Sequence, residues 1–528
     1  MDANELKREI DYRKLLSVNN ELRSKLNSAN FQNTMLRKKQ EGIIKKEVEL
    51  RTKKLNDELK DKDKQIEALK RELARMSAKL NNDSTNSGLP TSMTPINKKK
   101  HIPNTREKSE KDKGGQKGHP KHKLKKFNEE ELTEIVDVNM KECPKCGSKN
   151  IEALNTYEEK DETDYDVKII KRRYKFNNYK CNKCGYEFHS NIPNSLKEEN
   201  QYGTTVQSLA VCLTNEIYTP FNKTVKLISG ITYGEINISE GYVAKLQKRA
   251  YKYLEQFTND LKKYFPKQPV YGWDDGVIMV NKKQGILRVY CTEKVVLTLA
   301  HTNKNEASLD EDNILLKTPR TTIVMHDHII HNYNEKYSFE NVECLIHLIR
   351  RIRKIYEEAN HHKWCEELIK LLSETNKERN KLISQKEEKF NKEYIEKLSR
   401  RYDEIVEEGV LENEEDTNNY EFEKEIKFLN DIKKYKKNYL LWAYDFRLPS
   451  TNNECERSIR PVKSKLKICG QFQSIEYANY YATIRSYIET CKKNGINIIN
   501  ACSKLMLGEP YTLEEIIKIG KENSQNEN

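Results

Sequence analysis

Three acidic residues set what this sequence could do chemically. Asp274 stands inside the apolar run "QPVYGWDDGVIMV" (268–280), and Asp327 follows the apolar part of "TTIVMHDH" (321–328). A buried acid without a partner is costly, so two of them at the middle or end of strands call for partners, and a metal ion is one. Glu456, in "STNNECERSIRP" (450–461), supplies a third carboxylate. That stretch is a poor core helix, because Ile459 is its one large aliphatic residue. Its plain reading is a solvated, salt-bridged helix start. Its chemical reading is a carboxylate beside a groove for a phosphate backbone. Carboxylates from two strands and a helix make an oxygen cage suited to Mg2+ or Mn2+. Two such ions about 4 Å apart activate an attacking oxygen and stabilise a leaving one in phosphodiester chemistry. Arg457, Arg460, Lys463, Lys465 and Lys467 accompany the acid, in place to contact strand phosphates. Asn452 or Asn453 is placed to cap the helix, and Pro461 to end or kink it.

These acids need a sheet to hold them. From residue 268 the sequence shows short runs rich in β-branched and aromatic residues: the first acid's run, "GILRVYCT" (285–292), "KVVLTLAHT" (294–302) and the second acid's run. "NEASLDEDNILL" (305–316) and "FENVECLIHLIRRIRKIYEEA" (339–359) read as helices. This order predicts an α/β domain with a mixed sheet, in two parts, 266–354 and 446–505. A charged helical insertion, 355–445, separates them, and a C-terminal tail, 506–528, follows. Successive strand residues face opposite sides. Val270, Gly272, Asp274 and Gly276 therefore share one face, where the glycines leave room for metal and phosphate. Tyr271, Trp273, Asp275 and Val277 share the other, which suits packing against a helix. Asp275 is expected near the sheet's edge or accepting a hydrogen bond from a neighbour.

The remaining segments point to a polyanion. Residues 1–82 carry an a/d seam through Leu55, Leu59, Lys62, Ile66, Leu69, Leu73, Met76 and Leu80. It predicts a coiled coil, and with it a homodimer or higher oligomer, or a helical hairpin that folds on itself. Residues 83–125 are a basic linker containing "GGQKGH", whose glycines allow close backbone approach to phosphate and whose Lys117 and His119 add charge. Residues 126–200 hold two CxxCG turns, Cys143/Cys146 and Cys181/Cys184. That spacing predicts one structural Zn2+ in a zinc ribbon. The strand-like segment between the turns, with Arg172 and Arg173, would be a basic hairpin for DNA. Residues 201–265 read as three helices, open to a helix-turn-helix reading. The chain is 34% charged with a formal charge of +13, and local basic runs at 97–101, 120–127 and 168–176 suit nucleic acid. No apolar stretch approaches the ~18–20 residues of a membrane span, and no apolar signal core opens the chain, so a cytoplasmic protein is expected. The eight cysteines outside the CxxC pairs are scattered singly, as reduced buried thiols would be.

Across nearly its whole length the sequence resembles the transposases of the insertion sequence 66 family. The resemblance rests on the N-terminal heptads, "GGQKGH", the CxxC pairs, "WDDGVIMVNKKQG", "VMHDHIIHNY", "CLIHLIRRI" and "NNECERSIRPVKSKLKICGQFQS". It implies a multidomain α+β chain of the DDE type: coiled coil, zinc ribbon, helical DNA-binding segment, and a ribonuclease H-like α/β catalytic domain with a helical insertion. It matches Asp274, Asp327 and Glu456 to the family's three catalytic, metal-holding acids. It also matches Cys344, His347 and Arg350 to a Cys…His…Arg pattern, whose Cys and His, one turn apart, read as a packed Cys with a hydrogen-bonding His or, alternatively, as a pair of metal ligands. The implied reaction nicks DNA at the element's ends and joins the 3′-hydroxyl to target DNA, using two Mg2+ or Mn2+ ions. Implied partners are DNA and small accessory proteins encoded beside the gene; the implied place is the bacterial cytoplasm, on the nucleoid when DNA is bound. The family's Asp-Glu-Thr at the first acid reads Asp274-Asp275-Gly276 here, so a hydroxyl is lost. Two rival readings are a catalytically inactive or repurposed DNA-binding relative, and a ribonuclease H-like nuclease.

Overall fold

The computed structural model describes residues 2–80, 126–154, 156–193, 196, 198–358, 361–416 and 421–526. The chain divides into two compact units. One comprises Met1–Lys99, Ile349–Ser373 and Glu396–Lys434; the other comprises Lys100–Leu348, Glu374–Ile395 and Tyr435–Asn528. The helices in chain order are α1 (Ala3–Leu80), α2 (Thr204–Asn215), α3 (Phe221–Ile231), α4 (Glu240–Tyr253), α5 (Glu255–Tyr264), α6 (Glu306–Asp312), α7 (Leu345–Glu358), α8 (Lys363–Ser384), α9 (Lys392–Glu415), α10 (Phe422–Lys434), α11 (Lys436–Tyr444), α12 (Asn453–Cys469), α13 (Ile475–Lys493), α14 (Ile498–Leu507) and α15 (Leu513–Asn526). The strands are β1 (Asn178–Lys180), β2 (Glu187–His189), β3 (Val270–Val280), β4 (Lys283–Cys291), β5 (Val296–His301), β6 (Ile323–His326) and β7 (Glu340–Glu343).

The first unit contains α1 as one uninterrupted helix, not a hairpin, with Leu55, Leu59, Ile66, Leu69 and Leu73 exposed in the single chain. The same unit has an apolar interior from the insertion: Trp364, Leu368, Leu372, Tyr402, Ile405, Leu429 and Ile432 are all buried. Gly409 lets Trp364 and Leu429 come close, since a Cβ there would lie within 3 Å of both. Glu425 is buried beside them and accepts from the Trp364 indole at 2.6 Å and pairs with His362 at 2.8 Å.

The second unit is built on a five-stranded sheet of order β5-β4-β3-β6-β7. β3, β4 and β5 are antiparallel neighbours, while β6 and β7 join in parallel. The β3–β4 turn is tight because Asn281 and Lys282 both take positive φ, 46° and 63°, the twist a two-residue hairpin favours. Tyr271, Trp273, Tyr290 and Leu297 on one face share a core with α2–α5 and with α13–α15. The segment 201–265, expected as three helices, holds four, because the third is divided at Leu254 into α4 and α5; all four belong to this core. On the other face Ile278, Leu287, Val289 and Ala300 pack against Cys455, Ile459 and Val462 of α12 and against Ala478, Tyr481 and Ala482 of α13.

Five expectations need correction. The expected long helix from 339 begins as strand β7, because its first residues pair with β6. The expected tail from 506 holds helix α15, started by reciprocal Thr512–Glu515 bonds and anchored by buried Leu513 and Ile516. That is a capping box followed by apolar residues at helical spacing. Among the described residues between the CxxC turns only β1 is a strand; Arg172 and Arg173 lie exposed in irregular chain. Pro461 does not end α12, which runs through it to Cys469. Cys291 and Cys455 are joined as a disulfide between β4 and α12, so those two cysteines are not scattered singly.

Candidate active site

The sheet register sets two acids side by side. Gly272 on β3 is paired in parallel with Met325 on β6, and Asp274 and Asp327 each lie two residues further on. They therefore reach the same level of neighbouring strands on the same face. Asp274 is partly buried and accepts the Asp275 backbone N–H at 2.8 Å. Burial, and then the charge of Asp327, push its carboxyl up to about 7, against the pull of His347.

The third acid comes from α12. The helix lies so close to β3 that glycine is required under it. A Cβ on Gly272 would stand 2.7 Å from Asn452 Oδ1 and 2.9 Å from Cys455 Sγ, and one on Gly276 would stand 2.7 Å from Ile459 Cγ2. The room beside the glycines is thus filled by this helix, not left for metal and phosphate. Asn452 does not cap α12 with its side chain; it donates to the Trp273 carbonyl at 2.9 Å, fixing the helix start to β3. Glu456 sits in the first turn of α12.

His347, in the first turn of α7, joins the acids. Its Nδ1 is 2.7 Å from Asp327 Oδ1 and its Nε2 is 3.8 Å from Glu456 Oε1. Burial works against charge on the ring, but contacts to Asp327 and Cys344 outweigh it and lift the imidazole to about 11. The cluster is open to solvent: Asp327, His347 and Glu456 side chains are 28%, 24% and 22% exposed. Asp275 points to the opposite face, where Arg288 donates to it at 2.9 Å and also reaches Asp312 at 2.8 Å. This satisfies the expectation of a hydrogen-bonding neighbour for Asp275. Tyr290 and His301 complete that buried network, each 2.8 Å from Asp312.

The basic residues of α12 divide. Arg457, Arg460, Lys463 and Lys467 are exposed, and Arg457 pairs with Glu454 at 2.8 Å. Lys465, expected on DNA, instead turns inward. Its Nζ donates to the Thr214 carbonyl at 3.1 Å and lies over the Tyr481 ring, and burial lowers its pKa. Apolar Val462 and Leu466 beside it face the sheet, and Lys465 extends from the edge of that buried stripe. Lys117, His119 and the "GGQKGH" element lie outside the described residues.

Both CxxC turns fold alike. Gly147 and Gly185 take positive φ, 71° and 73°, and each donates its N–H to the first cysteine's carbonyl. Backbone N–H groups lower the thiol pKa of Cys143, led by Lys145, and of Cys181, led by Cys184. The four sulfurs are not gathered at one point. Among the described residues, the one group of three or more such ligand atoms within 4.8 Å of one another is Asp327, Cys344 and His347. Sequence reasoning saw Cys344 and His347 as a pair but had no means to place Asp327 against them.

A family model described as the transposase IS66 family matches residues 199–480. The chain belongs to the IS66 transposase family. The matched span takes in α2 through β7, α7–α12 and the start of α13, so all three acids fall within it. A comparison with curated proteins gives no match. Membership in this IS66 family carries a transposase role and implies use of a divalent metal. Among the described residues, no helix is long and apolar enough to cross a membrane.

Proposed function

We propose that this IS66 family member is a DDE-type transposase that cuts DNA at its element's ends and joins them to target DNA, with Asp274, Asp327 and Glu456 as its catalytic acids. The observation that carries the reading is the meeting of the three acids, from β3, from the residue just after β6 and from α12, around His347. The raised Asp274 carboxyl marks a surplus of negative charge, and an all-carboxylate donor set fits two hard ions, Mg2+ or Mn2+. Bound there, such ions activate the attacking oxygen and neutralise the leaving one. The chain's own residues do the rest. Asn452 and the Cys291–Cys455 link hold Glu456 against the strands. Arg460, Lys463 and Lys467, on the same side of α12 as Glu456, grip strand phosphates.

The strand order, three antiparallel strands continued by two parallel ones, supports a ribonuclease H-like catalytic domain. Its two parts, 266–354 and 446–505, flank the 355–445 insertion. The CxxC spacing supports a zinc ribbon on Cys143, Cys146, Cys181 and Cys184, whose four sulfurs, apart here, the ion would draw together. Exposed Arg172 and Arg173, with Lys117 and His119 of the linker, would add DNA contacts. The exposed α1 seam supports pairing of two chains, and accessory proteins and a place in the bacterial cytoplasm complete the reading. Gly276, where the family has a hydroxyl, favours an inactive relative only if the hydroxyl is needed. Here Ile459 occupies the space a side chain at 276 would take, which makes the departure a matter of packing.

The test is cleavage of DNA bearing the element's ends, with and without Mg2+. Asp274→Asn, Asp327→Asn and Glu456→Gln should each abolish strand cleavage while the protein still binds the DNA. Asp275→Asn should keep measurable cleavage. Metal-independent cleavage, or a dead Asp275→Asn beside an active Asp274→Asn, would overturn the assignment.

A further inference from the structure

We propose that Asp327, Cys344 and His347 form a second kind of metal site, selective for Zn2+, which shuts the active site by taking Asp327 out of the Mg2+-binding set. Binding stands on geometry alone; its effect on cleavage rests on the function proposed above.

The three ligands come from one rigid junction. His326 at the end of β6 is paired with Glu343 at the end of β7, and the Cys344 N–H donates to the His326 carbonyl at 3.1 Å. Asp327 and Cys344 are the next residues on the two strands, so they emerge side by side. Cys344 immediately precedes α7 and His347 lies three residues on, in its first turn, which brings both to one side of the helix start. Each ligand atom lies within 4.8 Å of the other two.

The donor set is mixed: one sulfur, one nitrogen, one oxygen. Mg2+ prefers oxygen alone. Zn2+ takes Cys, His and carboxylate together, with three protein ligands and an open fourth position in its non-structural sites. Sulfur and nitrogen donors also favour Zn2+ over the hard ions Mg2+, Ca2+ and Mn2+. The surroundings suit a zinc site. The Asn452 backbone N–H donates to Cys344 Sγ at 3.3 Å, and Glu456 stands 3.8 Å from the far nitrogen of His347. Carboxylates and backbone groups in these places orient metal ligands. Cys344 is buried, which protects the sulfur, while Asp327 and His347 keep a solvent-facing side through which an ion enters. On binding, Zn2+ replaces the thiol proton of Cys344 and the proton held between His347 and Asp327. One carboxylate then serves one metal set or the other, not both.

The experiment is titration of the metal-stripped full chain with Co2+, a spectroscopic stand-in for Zn2+, reading thiolate-to-cobalt charge-transfer absorption. The ribbon cysteines contribute their own signal, so the measured quantity is the part that depends on Cys344. Cys344→Ser should lower Co2+ bound per chain by one, and His347→Gln should weaken that same ion at least tenfold. A quadruple Ser variant of the ribbon cysteines should retain it. Both Cys344→Ser and His347→Gln binding cobalt as the wild type does would overturn the proposal; if Cys344→Ser fails to fold, unchanged binding by His347→Gln alone does so. In parallel, each protein's Mg2+-dependent cleavage with added Zn2+ is divided by its own rate without it. Wild type should be inhibited and Cys344→Ser resistant. Cobalt binding without any Mg2+-dependent cleavage would instead count against the function proposed above and leave the zinc site standing.

Discussion

Replacing Asp274 by Asn should stabilise the metal-free protein, and more so as pH rises. An aspartate ordinarily titrates at 3.8, whereas burial and Asp327 hold this one at about 7. A carboxyl whose folded value is raised favours folding in its protonated form. That benefit is fully present below about 4 and is lost as pH climbs through 7. At about 1.4 kcal/mol per tenfold change in proton affinity, the ionised carboxylate costs the fold at most about 4 kcal/mol. Between pH 5 and pH 8 the cost grows by roughly 2–3 kcal/mol, and solvent at the open side of the cluster trims it. Asn at 274 carries no such dependence. His347 titrates in both proteins, so to first order it cancels in the difference. The assay is denaturant unfolding of both proteins without divalent cations at pH 5, 6, 7 and 8, with helix content as the probe. The stability of Asp274→Asn relative to wild type should rise across this range, and Mg2+ should narrow the gap by neutralising the wild-type site. A difference that stays flat from pH 5 to pH 8 would refute the crowding of Asp274 against Asp327.

Gly276→Thr should cost roughly 1–3 kcal/mol by overpacking, because its Cβ would lie 2.7 Å from Ile459 Cγ2; adding Ile459→Ala should recover part of the loss in a thermal melt. Arg460→Ala should lower the salt dependence of DNA binding by about one released counterion, while Lys465→Met, whose amine is turned to Thr214, should leave that slope unchanged in binding assays across salt concentrations. Ile516→Ala should destabilise the protein by about 2–5 kcal/mol, since Ile516 is fully buried in the core shared with the sheet. Leu69→Lys with Leu73→Lys should abolish self-association measured by sedimentation.

Strand alternation was legible around Asp274 because large side chains and glycines alternate there, and Trp273 and Asp275 do face away from it. What the glycines accommodate was not legible: local spacing shows that a face lacks side chains, not which distant helix fills it. Asn452, Cys455 and Ile459 come from 180 residues downstream, and only the folded register brings them over Gly272 and Gly276. Lys465 was misjudged for a related reason. A lysine in a basic run reads as solvated, yet its stem follows the buried stripe of α12 and its head finds the Thr214 carbonyl. β7 was hidden because four residues leading into an amphipathic helix carry almost no period of their own. The α15 start, in contrast, had a usable signal in Thr512 and Glu515.

The position of Glu456 follows from these close approaches. It is held on both sides: Asn452 is bonded to the Trp273 carbonyl, and Cys455 is tied to Cys291. One turn further, Ile459 sits over Gly276. All three contacts grip β3 or its partner β4 on either side of Asp274. Any side chain at 272 or 276 must therefore push α12 outward and carry Glu456 with it. Catalytic groups lose rate steeply when misplaced by about 1 Å. Gly272→Ala is then expected to reduce metal-dependent cleavage by far more than its cost in stability explains, because the Cβ meets Asn452 and Cys455 directly. Cleavage at the wild-type rate in a folded Gly272→Ala protein would show that Glu456 is not placed through this contact.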